Sequence, residues 1–137
     1  MTTEAKLLSK EAFEVAKAGF TQNGAAAPLL AARTDWVDAV VCAAWSRFLE
    51  PVLPGPCALL AVGGYGRREL FPCSDVDLLL LVEKGVQATG QREALQDFLR
   101  ELWDTGLRLG HSVRTPQECA EIHEGNLELS ISLLDRR

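Results

Sequence analysis

Two short apolar runs enclose a glycine-rich loop that ends in two aspartates, and this arrangement constrains the fold more than any other feature of the sequence. The stretch reads LLAVGGYGRRELFPCSDVDLLLL, from Leu59 to Leu81. Short apolar runs bounded by Gly and Pro are typical of central strands that are covered on both faces. Asp75 and Asp77 open the second run, although moving ionised carboxylates out of water costs several kcal/mol each. A positive partner is therefore expected beside them.

Helical periodicity precedes these two runs. Apolar residues spaced for an amphipathic helix extend from Thr3 to about Ala18, and glycines at GFTQNG then interrupt the pattern. A second helix is predicted from near Pro28, with an apolar stripe at steps of three and four residues, until EPVLPGP ends it. The first 55 residues are therefore predicted to form an N-terminal helical segment.

The remaining residues, 56–137, are predicted to form the core of an α/β (α+β) domain. A third helix is expected over residues 91–104, with Gly106 placed to end it, and LRLGHSV is typical of a third strand. Shorter helices are expected after Pro116 and Asn126. This order of elements predicts a small mixed sheet flanked by helices.

Composition excludes several classes of function. A formal net charge of -5 disfavours a module that neutralises many nucleic-acid phosphates. The four cysteines include no CxxC pair, so neither a zinc framework nor a redox dithiol is expected. The N-terminus does not resemble a signal peptide, and LLLLV is too short to span a bilayer. A cytoplasmic protein that binds neither nucleic acid nor membrane is expected.

Two familiar phosphate-binding patterns do not fit the glycine loop. The P-loop pattern G-x-x-x-x-G-K-[ST] needs a lysine, and none occurs between Gly63 and Val82. A dinucleotide fingerprint could begin with G-x-G at Gly64 and Gly66, but Glu69 stands where its third glycine belongs. The loop also leaves too little chain for a crossover helix before the next strand.

A third pattern fits better, in which the loop brings backbone amides close to a triphosphate. Gly63 and Gly64 remove side chains where phosphate must approach, and Gly66 allows positive backbone angles. Arg67 and Arg68 add charge that could meet phosphate oxygens. Each arginine could instead be a solvated charge or could pair with a neighbouring acid.

The aspartates of the second run are the expected metal ligands. Because Asp75 and Asp77 lie two residues apart on a strand, their carboxylates project from one face, roughly 6 to 7 Å apart. Such a pair can hold Mg²⁺ together with a bound triphosphate. The alternative is that Ser74 and Asp75 only cap a turn.

Together these residues resemble a known signature, G-[GS], a spacer of about ten residues, then D-h-[DE]-h, where h is apolar. Gly63-Gly64 and Asp75-Val76-Asp77-Leu78 match it, so the chain resembles the nucleotidyltransferase superfamily that includes DNA polymerase beta. Within that superfamily, AVGGYGRRELFPCSDVDLLLL and LWDTGLRLGHSVRTPQEC look like the amino-terminal catalytic domain of bacterial PII uridylyltransferase/uridylyl-removing enzymes.

The resemblance implies transfer of a uridylyl group from UTP to a tyrosine of the PII nitrogen-signalling protein, with release of pyrophosphate. It implies that residues 56–137 are the catalytic core and that Asp75 and Asp77 are catalytic ligands of one or two Mg²⁺ ions. The residues expected to bind nucleotide are Gly63, Gly64, Gly66, Arg67, Ser74 and Arg114.

Two departures from the family pattern leave alternatives open. Arg68 stands where the family usually has glycine, and no third carboxylate is evident on the third strand, where the expected position falls near His111. His111 could accept a proton, bind nucleotide or be structural. The family's HD hydrolase and ACT domains do not fit in these 137 residues, so uridylyl removal and glutamine sensing are not expected here.

Other functions remain possible from the sequence. A related nucleotidyltransferase could modify another protein or a small molecule. A regulatory module could bind nucleotide without catalysis, and a structural domain could use the aspartates only in a turn.

Overall fold

Two long helices form the N-terminal part of the chain in the computed structural model, which describes residues 3–137. Helix α1 spans Thr3–Asn23 and α2 spans Ala26–Ala44, and one π-helical turn, Trp45–Leu49, continues α2. The first helix was expected to end near Ala18. It continues to Asn23 because Gly19 is tolerated within the helix, and Gly24, at φ +70°, makes the turn instead.

Three strands form a mixed sheet in the order β1-β2-β3. Strand β1 (Cys57–Ala61) pairs antiparallel with β2 (Val76–Val82), and β2 pairs parallel with β3 (Leu109–Arg114). A four-residue helix, α3 (Gly63–Gly66), follows β1, and helix α4 (Thr89–Asp104) connects β2 to β3. The predicted small mixed sheet flanked by helices is confirmed.

One face of the sheet packs against the helices to form the main core. Alternate side chains of β2, from Val76 to Val82, lie in this core with the buried face of α2 and with Phe98 and Leu102 of α4. Since successive strand residues point to opposite faces, Asp77 projects from the other face. The division of the chain at residue 55 stays a prediction.

Strand β1 differs from the expectation that both apolar runs are central strands. Strand β2 lies between two neighbours and is mostly buried, whereas β1 lies at the edge of the sheet and is only partly buried. The expectation was therefore wrong for β1 in the described sheet, since an apolar run alone does not reveal how many neighbours a strand has.

The C-terminal part consists of short helices. Helix α5 spans Pro116–Ala120 and α6 spans Leu127–Ser132, with 3-10 turns at Glu124–Asn126 and Leu133–Asp135. Thr115 caps α5 by accepting a hydrogen bond from the backbone N–H of Glu118. Both helices were expected from the sequence. No helix in the described range 3–137 is long and apolar enough to cross a membrane.

Candidate functional site

The glycine turn begins directly after β1 and lies against the second aspartate of β2. Val62 donates a backbone hydrogen bond of 3.1 Å to the carbonyl of Asp77. Gly63 has φ +59°, and a Cβ added there would lie 3.6 Å from Oδ2 of Asp77. Glycine at position 63 thus satisfies a left-handed backbone and leaves the approach to the Asp77 carboxylate open.

Asp77 is a half-buried acid whose side chain has no protein partner among the described residues. Burial raises the pKa of its carboxyl above the ordinary 3.8, and the charge of Asp75 raises it further. A carboxylate in this position is stabilised by a cation, because a nearby positive charge offsets lost hydration.

Gly110 of β3 lies opposite Asp77 in the parallel register. A Cβ at position 110 would overlap Oδ1 of Asp77 and lie 3.5 Å from its Cγ. Glycine therefore makes room for the carboxylate on the neighbouring strand. Gly110 was not among the predicted site residues, although glycine inside a strand signals a close approach of this kind.

Asp75 lies just before β2 and is more exposed than Asp77. Nε of Arg108 lies 3.1 Å from Oδ1 of Asp75, and the two side chains are 72% and 49% exposed. An ion pair this exposed contributes little, at most about 1 kcal/mol, so it can open when a stronger cation arrives.

A cleft of about 310 Å³ opens beside Asp77. Strand β3 contributes Gly110, His111, Ser112 and Arg114 to its lining, and α6 contributes Glu128, Leu129 and Ser132. The cleft brings together Asp77 and Arg114, one expected metal ligand and one expected nucleotide-binding residue. Their opposite charges suit a ligand that carries both a cation and phosphates.

His111 borders the same cleft but pairs in register with Leu78, not with Asp77. Gly110 and Ser112 are the β3 residues that share the face of Asp77, because strand side chains alternate. Strand β3 contains no Asp or Glu at any position. A carboxylate from β3 is therefore absent from this site.

Gly66 packs closely against neighbouring backbone, whereas Gly64 does not. The left-handed residues of this turn are Gly63 and Arg68, so the positive backbone angles that glycine allows at position 66 are not used. Gly66 is required by close packing: a Cβ there would lie 2.9 Å from the carbonyl oxygen of Ala61 and would overlap that of Asp135. At Gly64 an added Cβ would find only ordinary contacts of 3.5 and 3.8 Å.

The two arginines of the turn are paired with acids. Arg67 binds Glu69 at 3.0 Å and Asp135 at 2.6 Å. Arg68 binds Asp35 and lies 3.7 Å from Asp38. The pairing of Arg67 with Glu69 was one of the open alternatives, and Asp135 adds a contact 68 residues away.

Tyr65 anchors the glycine turn to α2 and to the C-terminus. Its buried hydroxyl donates a 2.6 Å hydrogen bond to Asp38, which also receives two hydrogen bonds of 2.7 and 2.9 Å from Arg137. Burial raises the pKa of Tyr65, and the hydrogen bond to Asp38 raises it further. This cluster was not foreseen, because its members are far apart in the chain.

Ser74 uses its hydroxyl within the loop, where it donates to the carbonyl of Phe71 at 2.8 Å. This bond supports the capping alternative for Ser74 and leaves its oxygen lone pairs available. Its nucleotide-binding role stays a prediction.

The two aspartates suit a magnesium ion that arrives with nucleotide. No group of three or more His, Cys, Asp or Glu side chains capable of holding a metal occurs in the described part of the chain. Mg²⁺, however, commonly binds one or two carboxylates together with substrate phosphates. The unpartnered carboxylate of Asp77, open to the cleft, fits that donor set.

Comparison with known proteins gives concordant results. Residues 10–113 match the family model described as "Putative nucleotidyltransferase DUF294". The chain is 44% identical over 111 residues to a bifunctional uridylyltransferase/uridylyl-removing enzyme of Methylococcus capsulatus, covering 81% of this chain and 12% of the relative. The enzymes of the same name from Nitrosospira multiformis and Azotobacter vinelandii are 43% and 41% identical, covering 86% and 90% of this chain and 14% of each relative.

No solved structure matches the chain. The chain spans only 12 to 14% of the length of these relatives. The family match nevertheless covers most of the sequence, including the glycine turn, both aspartates and most of β3. The expected resemblance to uridylyltransferases is confirmed, and the chain belongs to the DUF294 nucleotidyltransferase family.

Proposed function

We propose that this domain transfers a uridylyl group from UTP to a tyrosine of the PII signalling protein and releases pyrophosphate. One observation carries the proposal: the half-buried Asp77 carboxylate faces a cleft beside the glycine turn and has no partner in the described residues. Mg²⁺ that arrives with a bound triphosphate would supply the missing positive charge. The names of the relatives support uridylyl as the transferred group.

Each site residue has a part in binding the nucleotide. Asp77 and Asp75 would hold Mg²⁺, with Asp75 exchanging its exposed contact to Arg108 for the ion. Gly63 and Gly64 let the triphosphate approach the backbone, and Arg114, which lines the cleft with Asp77, contacts phosphate. Gly66 acts indirectly by packing, and Arg67 acts indirectly through its acid pairs.

The reaction joins the tyrosine oxygen to the α-phosphorus of UTP and breaks the bond to pyrophosphate, while the hydroxyl proton is released. Asp75 and Asp77 would hold Mg²⁺, which would neutralise charge on the phosphates and the leaving pyrophosphate. The protein's own part is to align the triphosphate between the glycine turn and β3. The proposal places the protein in the cytoplasm, where UTP and Mg²⁺ are available.

A nucleotide-binding module without catalysis is the second candidate. It is favoured by one observation, the absence of Asp and Glu from β3. Such a module would use the same aspartates and the same cleft. It would bind UTP and Mg²⁺ but would transfer nothing.

Calorimetry with UTP and Mg²⁺ tests the binding part of the proposal. Asp77→Asn should weaken binding by about tenfold or more, equivalent to about 1.4 kcal/mol, because it removes the charge that holds the ion. Asp97→Asn is the matched control, since Asp97 lies on α4 and pairs with Arg100. Equal affinity of the Asp77→Asn variant and the parent chain would contradict the proposal.

Incubation with labelled UTP and PII separates the two candidates. Label on PII that is lost in Asp77→Asn supports transfer. Binding without transfer to any acceptor would support the regulatory module, and label on a different acceptor would indicate a related nucleotidyltransferase.

A further inference from the structure

The outer edge of β1 is paired at one residue with the end of the described chain. Ala61 and Arg137 exchange two backbone hydrogen bonds, N–H to carbonyl in each direction, both of 2.9 Å. A reciprocal pair between the same two residues is the signature of antiparallel strands. Arg137 is therefore paired with Ala61 as residues of antiparallel strands are, on the side of β1 that faces away from β2.

The rest of that edge is available for pairing. Backbone groups alternate along a strand, so the N–H and carbonyl of Leu59 and Cys57 point to the same side as those of Ala61. In the part of the chain that the structure describes, no further strand lies there. An exposed apolar edge is a liability that proteins generally cover.

An apolar groove runs beside this edge. Its volume is about 460 Å³, and its lining includes Val41, Cys42 and Trp45 of the α2 side and Cys57 and Leu59 of β1. Side chains of a strand paired to β1 would enter this groove. The groove thus provides an apolar surface next to the available hydrogen-bonding edge.

Arg137 is held in place at the mouth of the groove. Its guanidinium donates two hydrogen bonds to Asp38 and lies 5.3 Å from the ring centroid of Tyr65. Both partners also fix the glycine turn, as Tyr65 donates to Asp38. This cluster therefore holds the side chain of Arg137 beside β1.

We propose that β1 and this groove accept a fourth strand, antiparallel to β1, formed by the residues that directly follow Arg137 in longer polypeptides of this family. The relatives are long enough to supply it, since the chain spans 12 to 14% of their length. From the Ala61–Arg137 pair, the second residue after Arg137 faces Leu59 and the fourth faces Cys57. The fourth strand makes β1 central and covers its apolar edge.

Amide hydrogen exchange tests this strand. The 137-residue chain is compared with the same chain extended by about six residues, a typical strand length, copied from the segment that follows the equivalent of Arg137 in the Methylococcus capsulatus relative. The amide of Leu59 should exchange at least about tenfold more slowly in the extended chain, because pairing buries it in a ladder. Alkylation of Cys42, which lines the groove, should slow relative to that of exposed Cys73.

A proline at the second appended residue is the matched control. It removes the N–H that would bond to the carbonyl of Leu59, which weakens pairing of the whole appended strand with β1, so the protection of the Leu59 amide should fall while circular dichroism stays native. Unchanged exchange of Leu59 in the extended chain would overturn the proposal. Equal protection of the Leu59 amide with and without the proline would also overturn the proposal. So would concentration-dependent protection in the unextended chain, because it would indicate that a second copy of the chain pairs with this edge.

Discussion

Replacing each of the three glycines of the turn by alanine should change the free energy of unfolding by a different amount. Gly66→Ala is the most damaging change, because the new Cβ would overlap the carbonyl oxygen of Asp135 and lie 2.9 Å from that of Ala61. Both obstacles are backbone atoms, which cannot rotate away as a side chain could. The C-terminal turn must therefore move off the glycine turn.

The size of the loss follows from the contacts that this movement breaks. The two hydrogen bonds between Ala61 and Arg137 contribute about 1 kcal/mol each. Residual overpacking adds about 1 kcal/mol or more. We expect Gly66→Ala to lower the free energy of unfolding by about 3 kcal/mol.

Alanine at the other two glycines should cost less free energy of unfolding, which provides a comparison for Gly66→Ala. Gly63→Ala should cost about 1 kcal/mol, since alanine must adopt φ +59°. Gly64→Ala meets only ordinary contacts and gains helix propensity, so it should change stability by less than about 0.5 kcal/mol. Urea denaturation followed by circular dichroism measures all three. Equal losses in the three variants, or a loss at position 64 as large as at 66, would refute the packing argument.

Three further predictions concern the site. Gly110→Ala should displace the Asp77 carboxylate and weaken binding of magnesium-UTP in calorimetry by about tenfold or more, while the unfolding midpoint changes little. Unchanged affinity for magnesium-UTP would contradict the role of Gly110. Arg68→Gly should be more stable than Arg68→Ala by about 1 kcal/mol in urea denaturation, because both lose the pair with Asp35 but only glycine relieves φ 62°. Burial and the charge of Asp75 raise the pKa of Asp77, so the metal-free fold gains stability as pH falls through that pKa. Asp77→Asn should therefore be more stable than the parent chain at pH 7, and titration of the unfolding free energy should show this difference shrinking toward acid pH. A difference that grows toward acid pH would contradict the raised pKa.

Local patterns predicted the elements of the fold and the center of the site. The order of helices and strands follows from periodicity and from Gly and Pro, and the G-G and D-x-D spacing identified the turn and the aspartates. These signals are local, because each depends on residues within one element and the loop beside it.

These local signals do not predict which residues far apart in the chain come into contact. The apposition of Gly110 with Asp77 depends on the register of two strands joined by α4. Arg67 meets Asp135 across 68 residues, and Asp38 meets Arg137 across 99. The edge position of β1 likewise depends on which segment pairs beside it. None of these contacts produces a periodic pattern in the sequence.

Nuclear magnetic resonance with Mn²⁺ in place of Mg²⁺ tests the location of the ion most directly. With UTP present, the paramagnetic ion should broaden the amide resonances of Gly63 and Gly110 before those of the rest of the chain, and Asp77→Asn should abolish this selectivity. Broadening that is centered on other acids, or that persists unchanged in Asp77→Asn, would contradict a nucleotide-bound ion at the mouth of β2.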